Sequence, residues 1–268
     1  MNTRQETTDG SSSKTGPVNN RFIDQKLDGQ GVPMRKGYGQ FCPVAKGAEV
    51  FAERWTPLVI RELLEGSTRF NDLHRGVPLM SRSMLSLRLK QLEDLGVVTR
   101  TSGGQGTEYH LTVQGREFAP IIHMLGEWGQ RWYRTNFGDD ELDVSLLMWD
   151  IHRKVHPEYF PPGRTTVQFV FAGVPAGRRH WWLVSATSEV DICPIDPGFE
   201  VDLHVTTHLR TLTQIWLGDL TYRNALTKRE IELDGPRPLQ RHFEQWLGRS
   251  TLADVKDARG NVLAAVVN

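Results

Sequence analysis

The stretch between Phe41 and Arg134 constrains this chain more than any other. Its centre reads Arg69-Phe-Asn-Asp-Leu-His-Arg75, then Gly76-Val-Pro78, then a run from Ser81 to Leu95 that stops at Gly96. Phe70 and Leu73 give a short helix over about 69–75 an inward face, and Gly76-Val-Pro78 breaks it. Ser81 is a strong N-cap residue and Gly96 a C-terminal stop, so a second helix runs between them. Leu85, Leu89 and Leu92 form its apolar stripe, while Ser83, Leu87 and Lys90 point the other way. Val97–Arg100 and Glu108–Leu111 read as short strands, and Ser102-Gly-Gly-Gln-Gly-Thr107 as the turn joining them.

Helices flank this centre. Val44, Ala48 and Phe51 recur at helical spacing. Thr56 before Pro57 reads as a cap followed by a first-turn proline, opening a helix with Leu58, Ile60, Leu63 and Leu64 and ending at Gly66. Trp55, at its mouth, is expected in the core. Thr112 opens a last long helix with Phe118, Ile121, Ile122, Leu125 and Trp128 on one side. Helix, turn, helix and β-ribbon in this order describe a winged helix-turn-helix, a scaffold whose second helix is shaped for a DNA major groove.

Charge fits that reading only through its distribution. The 268 residues are formally neutral, yet residues 1–137 carry 18 Lys and Arg against 14 Asp and Glu, and the remainder carries the reverse excess. The sign suits a DNA-binding front half, but the excess is small, so tight binding needs a dimer and groove complementarity. No apolar run approaches the roughly 18 residues of a membrane span. The polar N-terminus lacks the apolar core of a secretory signal, and Cys42 and Cys193 cannot build a disulfide framework, so the expected compartment is the cytoplasm, at the nucleoid. Residues 1–37, rich in Ser, Thr, Gly, Asn and Gln, are expected to be a disordered tail.

The groove-reading helix needs an apolar anchor and small or hydrogen-bonding residues near its start. Ser81, Arg82, Ser83 and Ser86 meet the second demand. Lys90 lies further along, towards a phosphate. Arg100 and Gln105 would set the wing against the duplex backbone or minor groove, and Arg69 is a phosphate contact before the first helix of the pair. Against this stands the plain alternative that Arg82, Arg88 and Lys90 are a solvated helix face.

The same residues carry a family resemblance. Cys42-Pro43, Arg54-Trp55-Thr56, Arg69 to Leu73, Ser81, Met84-Leu85, Arg88-Leu89, Leu92-Glu93, Gly96-Val97-Val98, Glu108-Tyr109, Leu111-Thr112 and Gly115 resemble the HxlR-type winged-helix regulators, relatives of the MarR group. The resemblance implies a homodimeric bacterial transcription factor, paired through its outer helices and bound to a pseudo-palindromic operator; a repressor is the expected sense, which the sequence does not itself distinguish from an activator. It also implies that Cys42 is a candidate sensor of oxidants or electrophiles. Leu87 stands where the family often has a further basic residue, which breaks any transfer of operator sequence.

Beyond about Asp139 the pattern changes to strand-like alternation in 165–171, 181–184 and 201–205, with helical patterns near 208–217, 220–226 and 239–247. The mixture predicts an α+β domain with an antiparallel sheet. Val205 to Leu226, followed by Ile231-Glu-Leu-Asp-Gly-Pro236, resembles sterol carrier protein-type domains: a strand, an amphipathic helix, a short helix, a strand and a last helix. That resemblance implies an apolar cavity for a hydrophobic small-molecule effector, with Leu209, Leu212, Trp216 and Leu220 as its candidate lining. The division expected is a tail over 1–37, the winged helix over 38–137, the sterol carrier protein-like domain over 138–250 and a C-terminal tail over 251–268.

Catalysis finds no pattern. His152 with His156, and His204 with His208, are spaced to share a helix face, but no Glu or Cys completes a metal set, so neither a metal nor a cofactor is expected. The glycine turn lacks the Gly-Lys-Ser/Thr ending of a phosphate loop, and no Gly-x-Ser-x-Gly elbow occurs. The sequence thus points to a non-enzymatic regulator whose partners are double-stranded operator DNA, a second copy of itself and an apolar effector. The rival is a hydrophobic-ligand-binding or enzymatic protein whose winged helix serves as a protein-interaction module.

Overall fold

The computed structural model describes residues 37–103, 106–133, 137–186, 189–256 and 258. Nearly all of the expected N-terminal tail, Gln105 and the last ten residues lie outside that set. The chain divides into two compact units, with the boundary after Phe51. The first holds α1 (Pro43–Phe51), which buries none of its residues. Glu49 organises it, accepting from the Tyr38 backbone N–H at 2.9 Å and from Lys46 Nζ at 3.1 Å.

The second unit begins with the winged helix. Its helices are α2 (Thr56–Leu64), α3 (Phe70–Gly76) and α4 (Arg82–Asp94), and its ribbon pairs β1 (Val98–Gly103) with β2 (Gly106–Leu111). Both strands run longer than the sequence pattern predicts, because antiparallel pairing carries them to the Gly103–Gly106 tip. The chain between Ser67 and Phe70 joins the ribbon, with Tyr109 N–H donating to Thr68 O at 2.8 Å. Val59, Ile60, Leu73, Leu85, Leu89, Leu92 and Val97 are essentially inaccessible and make the core. They recur on one face of each helix, so burying them is what fixes the helices against one another.

Two expectations fail here for local reasons. Thr56 is not the cap of α2. A turn closed by Thr56 N–H to Glu53 O puts Trp55 at the cap position in left-handed backbone (φ 75°), half-exposed beneath the Arg54 guanidinium. Thr56 becomes the first helical residue, fully buried, and its hydroxyl has no partner. The expected long helix from Thr112 is two helices, α5 (Val113–Arg116) and α6 (Ala119–Trp132). Pro120 has no N–H to continue the ladder, so the chain restarts there. Thr112 pins the joint to the wing, its hydroxyl donating to Gly96 O at 2.7 Å and accepting from Gly115 N–H at 3.1 Å. Gly115 is obligatory, because a Cβ there would lie 2.2 Å from Val97 O.

The remainder is a five-stranded sheet with helices over one face. In chain order come α7 (Val144–His152), β3 (Arg164–Ala172), β4 (His180–Ala186), β5 (Glu189–Cys193), β6 (Leu203–His208), α8 (Leu209–Leu217), α9 (Tyr222–Thr227), β7 (Ile231–Asp234), α10 (Arg237–Arg241) and α11 (Phe243–Leu247). The strand order is β5-β4-β3-β6-β7, antiparallel at every neighbour except β3 and β6, which run parallel. A parallel pair needs a long crossover, and residues 173–202 supply it with β4 and β5 inside it. Alternate residues Val167, Phe169 and Phe171 on β3 are sealed, with Leu183, Leu203, Val205 and Ile231 on the same face, against α7, α8 and α11. The chain after 250 is not a free tail over its described part. Ser250 N–H donates to Trp216 O, Ala253 is buried, and Ala258 N–H donates to Arg131 O.

Candidate nucleic-acid interface

The start of α4 is built by its cap. Ser81 Oγ accepts from Met84 N–H at 3.3 Å and lies 3.2 Å from Ser83 Oγ. Leu85, Leu89 and Leu92 hold the helix to the core, and this leaves Ser81, Arg82, Ser83, Ser86 and Lys90 exposed together on its outer side. Arg88 does not belong with them. It turns inward, 6 % exposed, to pair with Glu53 at 3.4 Å. Arg82 is braced against α3, donating to Asn71 Oδ1 at 2.6 Å with its guanidinium over the Phe70 ring. Lys90 reaches Asp94 one turn on, at 2.5 Å, and that carboxylate holds the ammonium above its ordinary range. Arg100 is exposed on β1, close enough to Lys90 to oppose its charge. Arg69, at the cap of α3, lies 3.7 Å from Glu108 on the wing. Seven of the eight expected DNA contacts therefore sit on α4, the α3 cap or the ribbon, and the eighth, Gln105, is outside the described residues. Met84 and Leu87 add exposed apolar surface to the same side of α4. Leu87 was legible from the helical wheel, whereas Met84 carries no signal beyond its position.

A model of the HxlR-like helix-turn-helix matches residues 50–137. YvaP of Bacillus subtilis, an uncharacterised HTH-type transcriptional regulator, is 36% identical over 104 residues, which make up 96% of that protein and 37% of this chain. The chain belongs to the HxlR-like helix-turn-helix family. An uncharacterised HTH-type regulator of Synechocystis is 34% identical over 112 residues, 80% of its own length and 41% of this chain. Among solved structures, the redox regulator HypR in its reduced form is 34% identical over 33% of this chain and 91% of its own, with a TM-score of 0.32. No helix among the described residues is long and apolar enough to cross a membrane.

In this HxlR-like protein the winged region is joined to the sheet half at several points, and at the centre of one of them is a side chain that sequence reasoning missed. Glu62, on α2, is fully buried. Its carboxylate accepts from Arg61 at 2.7 Å, from Arg153 Nη1 at 2.9 Å and from Trp149 Nε1 at 3.2 Å, the last two on or just beyond α7. Gly76 closes the cage: a Cβ there would lie 1.9 Å from the carboxylate, and Gly76 O accepts from Arg61 at 2.9 Å. The signal was present. Glu62 falls three residues after Val59, inside the apolar stripe of α2, and a charge there must be either paired or absent.

The other expected site residues scatter. Leu209, Leu212 and Trp216 are buried in the packed core beneath the sheet, with Leu220 half-buried at its edge; Trp216, Leu220 and Leu209 each edge a different cleft, so the four do not line one cavity together. Cys42 is free and half-buried immediately before α1. His152 ends α7 and points at Val190 O, while His156 lies beyond the helix; His204 is in β6 and His208 caps α8, so neither pair shares a helix face. No group of three or more potential metal ligands comes together among the described residues.

Proposed function

We propose that the protein is a DNA-binding transcriptional regulator that docks the start of α4 in the major groove of a pseudo-palindromic operator, as a homodimer, and represses by occupying it. The observation that carries this reading is the exposed side of α4, where hydroxyls and cations stand out from a leucine-anchored helix beside the wing. Small polar residues let a helix approach base edges, and Arg82 has the fork that guanine or phosphate accepts. Dimerisation is supported by α6, which buries only Gln130 and leaves Ile121, Met124, Leu125 and Trp128 half-exposed or more on its surface. An apolar face of that kind suits a second copy.

The half beyond residue 138 is an effector domain in this reading. Its β6, α8, α9, β7 and final helices follow the order that the sterol carrier protein-type resemblance implies. The test is selection of bound duplexes from a random pool, followed by affinity as a function of salt. Binding should fall steeply as salt rises, because each neutralised phosphate releases counterions. Arg82→Ala should weaken the selected site by about tenfold or more. Lys90→Ala should weaken all duplexes alike and flatten the salt slope. A chain that selects no duplex at low salt is not a regulator of this kind.

A further inference from the structure

A cleft of about 360 Å³ opens between α2, α7, α8 and the segment around Leu252. Leu146, Trp216 and Leu252 are part of its apolar wall, and Asp150 and Arg153 lie on the side that faces the winged helix. Its size and greasy lining with a few convergent polar groups are those of a small-molecule site. Its charge selects the ligand. Every cation lining it among the described residues is engaged by a carboxylate of the protein: Arg61 and Arg153 by Glu62, and Lys154 by Glu65 at 2.8 Å. Arg153 Nε has no partner but is shut off from solvent, so a ligand cannot reach it. Carboxylates are in surplus. Among the described residues Asp150 receives Arg153 alone, through one oxygen, and the exposed Glu141 receives the Gly138 N–H alone. Burial holds the Asp150 carboxyl above its ordinary range, so its charge is undercompensated.

We propose that this cleft binds a small lipophilic cation, an apolar body against Leu146 and Trp216 with an amine towards Asp150, and that it is the effector site of the regulator proposed above. The amine supplies the positive charge that the undercompensated Asp150 carboxylate lacks, and an aromatic wall residue such as Trp216 disfavours a cation less than an anion of the same shape. The coupling has a physical route. Arg153 bridges Asp150 of the cleft to Glu62 of α2; Arg61 bridges Glu62 to Gly76, the last residue of α3, and α4 follows within six residues. A ligand that draws Asp150 away from Arg153 alters the cage that holds the end of α3, the helix before the reading helix. It shifts operator affinity only as far as it binds the two settings differently.

The test uses three probes sharing one body, 2-naphthylmethylamine, 2-naphthylmethanol and 2-naphthoate, titrated into the full-length protein by calorimetry. The amine should bind saturably, at least tenfold tighter than the alcohol, with the carboxylate weakest. Asp150→Asn should abolish the preference of amine over alcohol, and Leu146→Trp, which fills the cleft from a half-buried position, should block both while circular dichroism stays unchanged. Equal binding of all three probes, or a preference that survives both variants, overturns the site. Saturating amine should change affinity for the selected operator at least fivefold; unchanged affinity overturns the coupling. If the amine binds as described but no duplex is ever selected, the regulator reading fails and the cation site stands.

Discussion

The helices over the five-stranded sheet and the helices of the winged region treat their apolar residues in opposite ways. Below the sheet, Phe169, Phe171, Leu212, Phe243 and Trp246 are sealed. In the winged region, Leu79, Met84, Leu87, Met124 and Trp128 remain on the surface around a smaller core. Apolar surface is costly to leave in water, at roughly 25 cal/mol per Å². The second region is therefore unfinished by itself. Its outer surface keeps these residues in water, and its inner surface is joined to the sheet half at Glu62.

The largest effect that tests this contrast is Phe169→Ala. It should cost about 3–5 kcal/mol by urea unfolding, because it empties a site with no room to collapse. Trp128→Ala on α6 should change protomer stability by less than about 0.5 kcal/mol while lowering the sedimentation mass. A large loss of protomer stability there would mean that α6 is part of the core after all. Glu62→Gln comes next, at about 3 kcal/mol, since it leaves the nearly buried Arg153 with Asp150 alone and takes away the carboxylate that Arg61 holds. It should also loosen α3 in hydrogen exchange, and an unchanged exchange pattern would dissolve the joint inferred between the halves.

A smaller effect is a pH slope at that joint. Burial holds the His152 imidazole below its ordinary value of 6.5. The unfolded chain thus binds the proton first, and stability falls as pH drops from 6.5 towards the lower folded value, by at most about 1.4 kcal/mol per pH unit. Asp150, shifted up from 3.8, has the opposite sign and favours the folded state as it protonates. His152→Gln should remove the loss just below neutrality; if the loss persists, another group owns it. The smallest effect is Ser81→Ala, about 1 kcal/mol from the lost cap, with weaker operator binding from a frayed α4.

The winged region was largely legible because its signals are local. The Ser81 cap, the Leu85, Leu89 and Leu92 stripe and the Gly96 stop each act within one or two turns, and all three stand in the structure. The break at Pro120 was also written in the chain, but the continuous run of apolar residues after it masked it. The sheet half was less legible because its strands are set by distant partners. The short β5 carries an alternating pattern with Asp191 in its middle, and becomes a strand only by pairing with β4. The four candidate pocket residues were read from one helix face, and a face cannot say whether what it meets is a cavity or Phe169. The Glu62 cage depends on Trp149 and Arg153, nearly ninety residues away, and no pattern within α2 could name them.

The segment from Ser250 to Ala258 carries a consequence for how the molecule is made. It hydrogen-bonds to Trp216 on α8 and to Arg131 at the end of α6, and Gly218 meets Ala253 so closely that a Cβ would lie 2.5 Å from its carbonyl. On the ribosome the winged region emerges first and can fold early, since domains generally fold as units in order of synthesis. The stitch across α6 and α8 forms only when this late segment leaves the exit tunnel. Until then the nascent chain can hold a finished α4 and the Glu62 contacts to Trp149 and Arg153, while α6 and α8 are still without the segment that bonds to both.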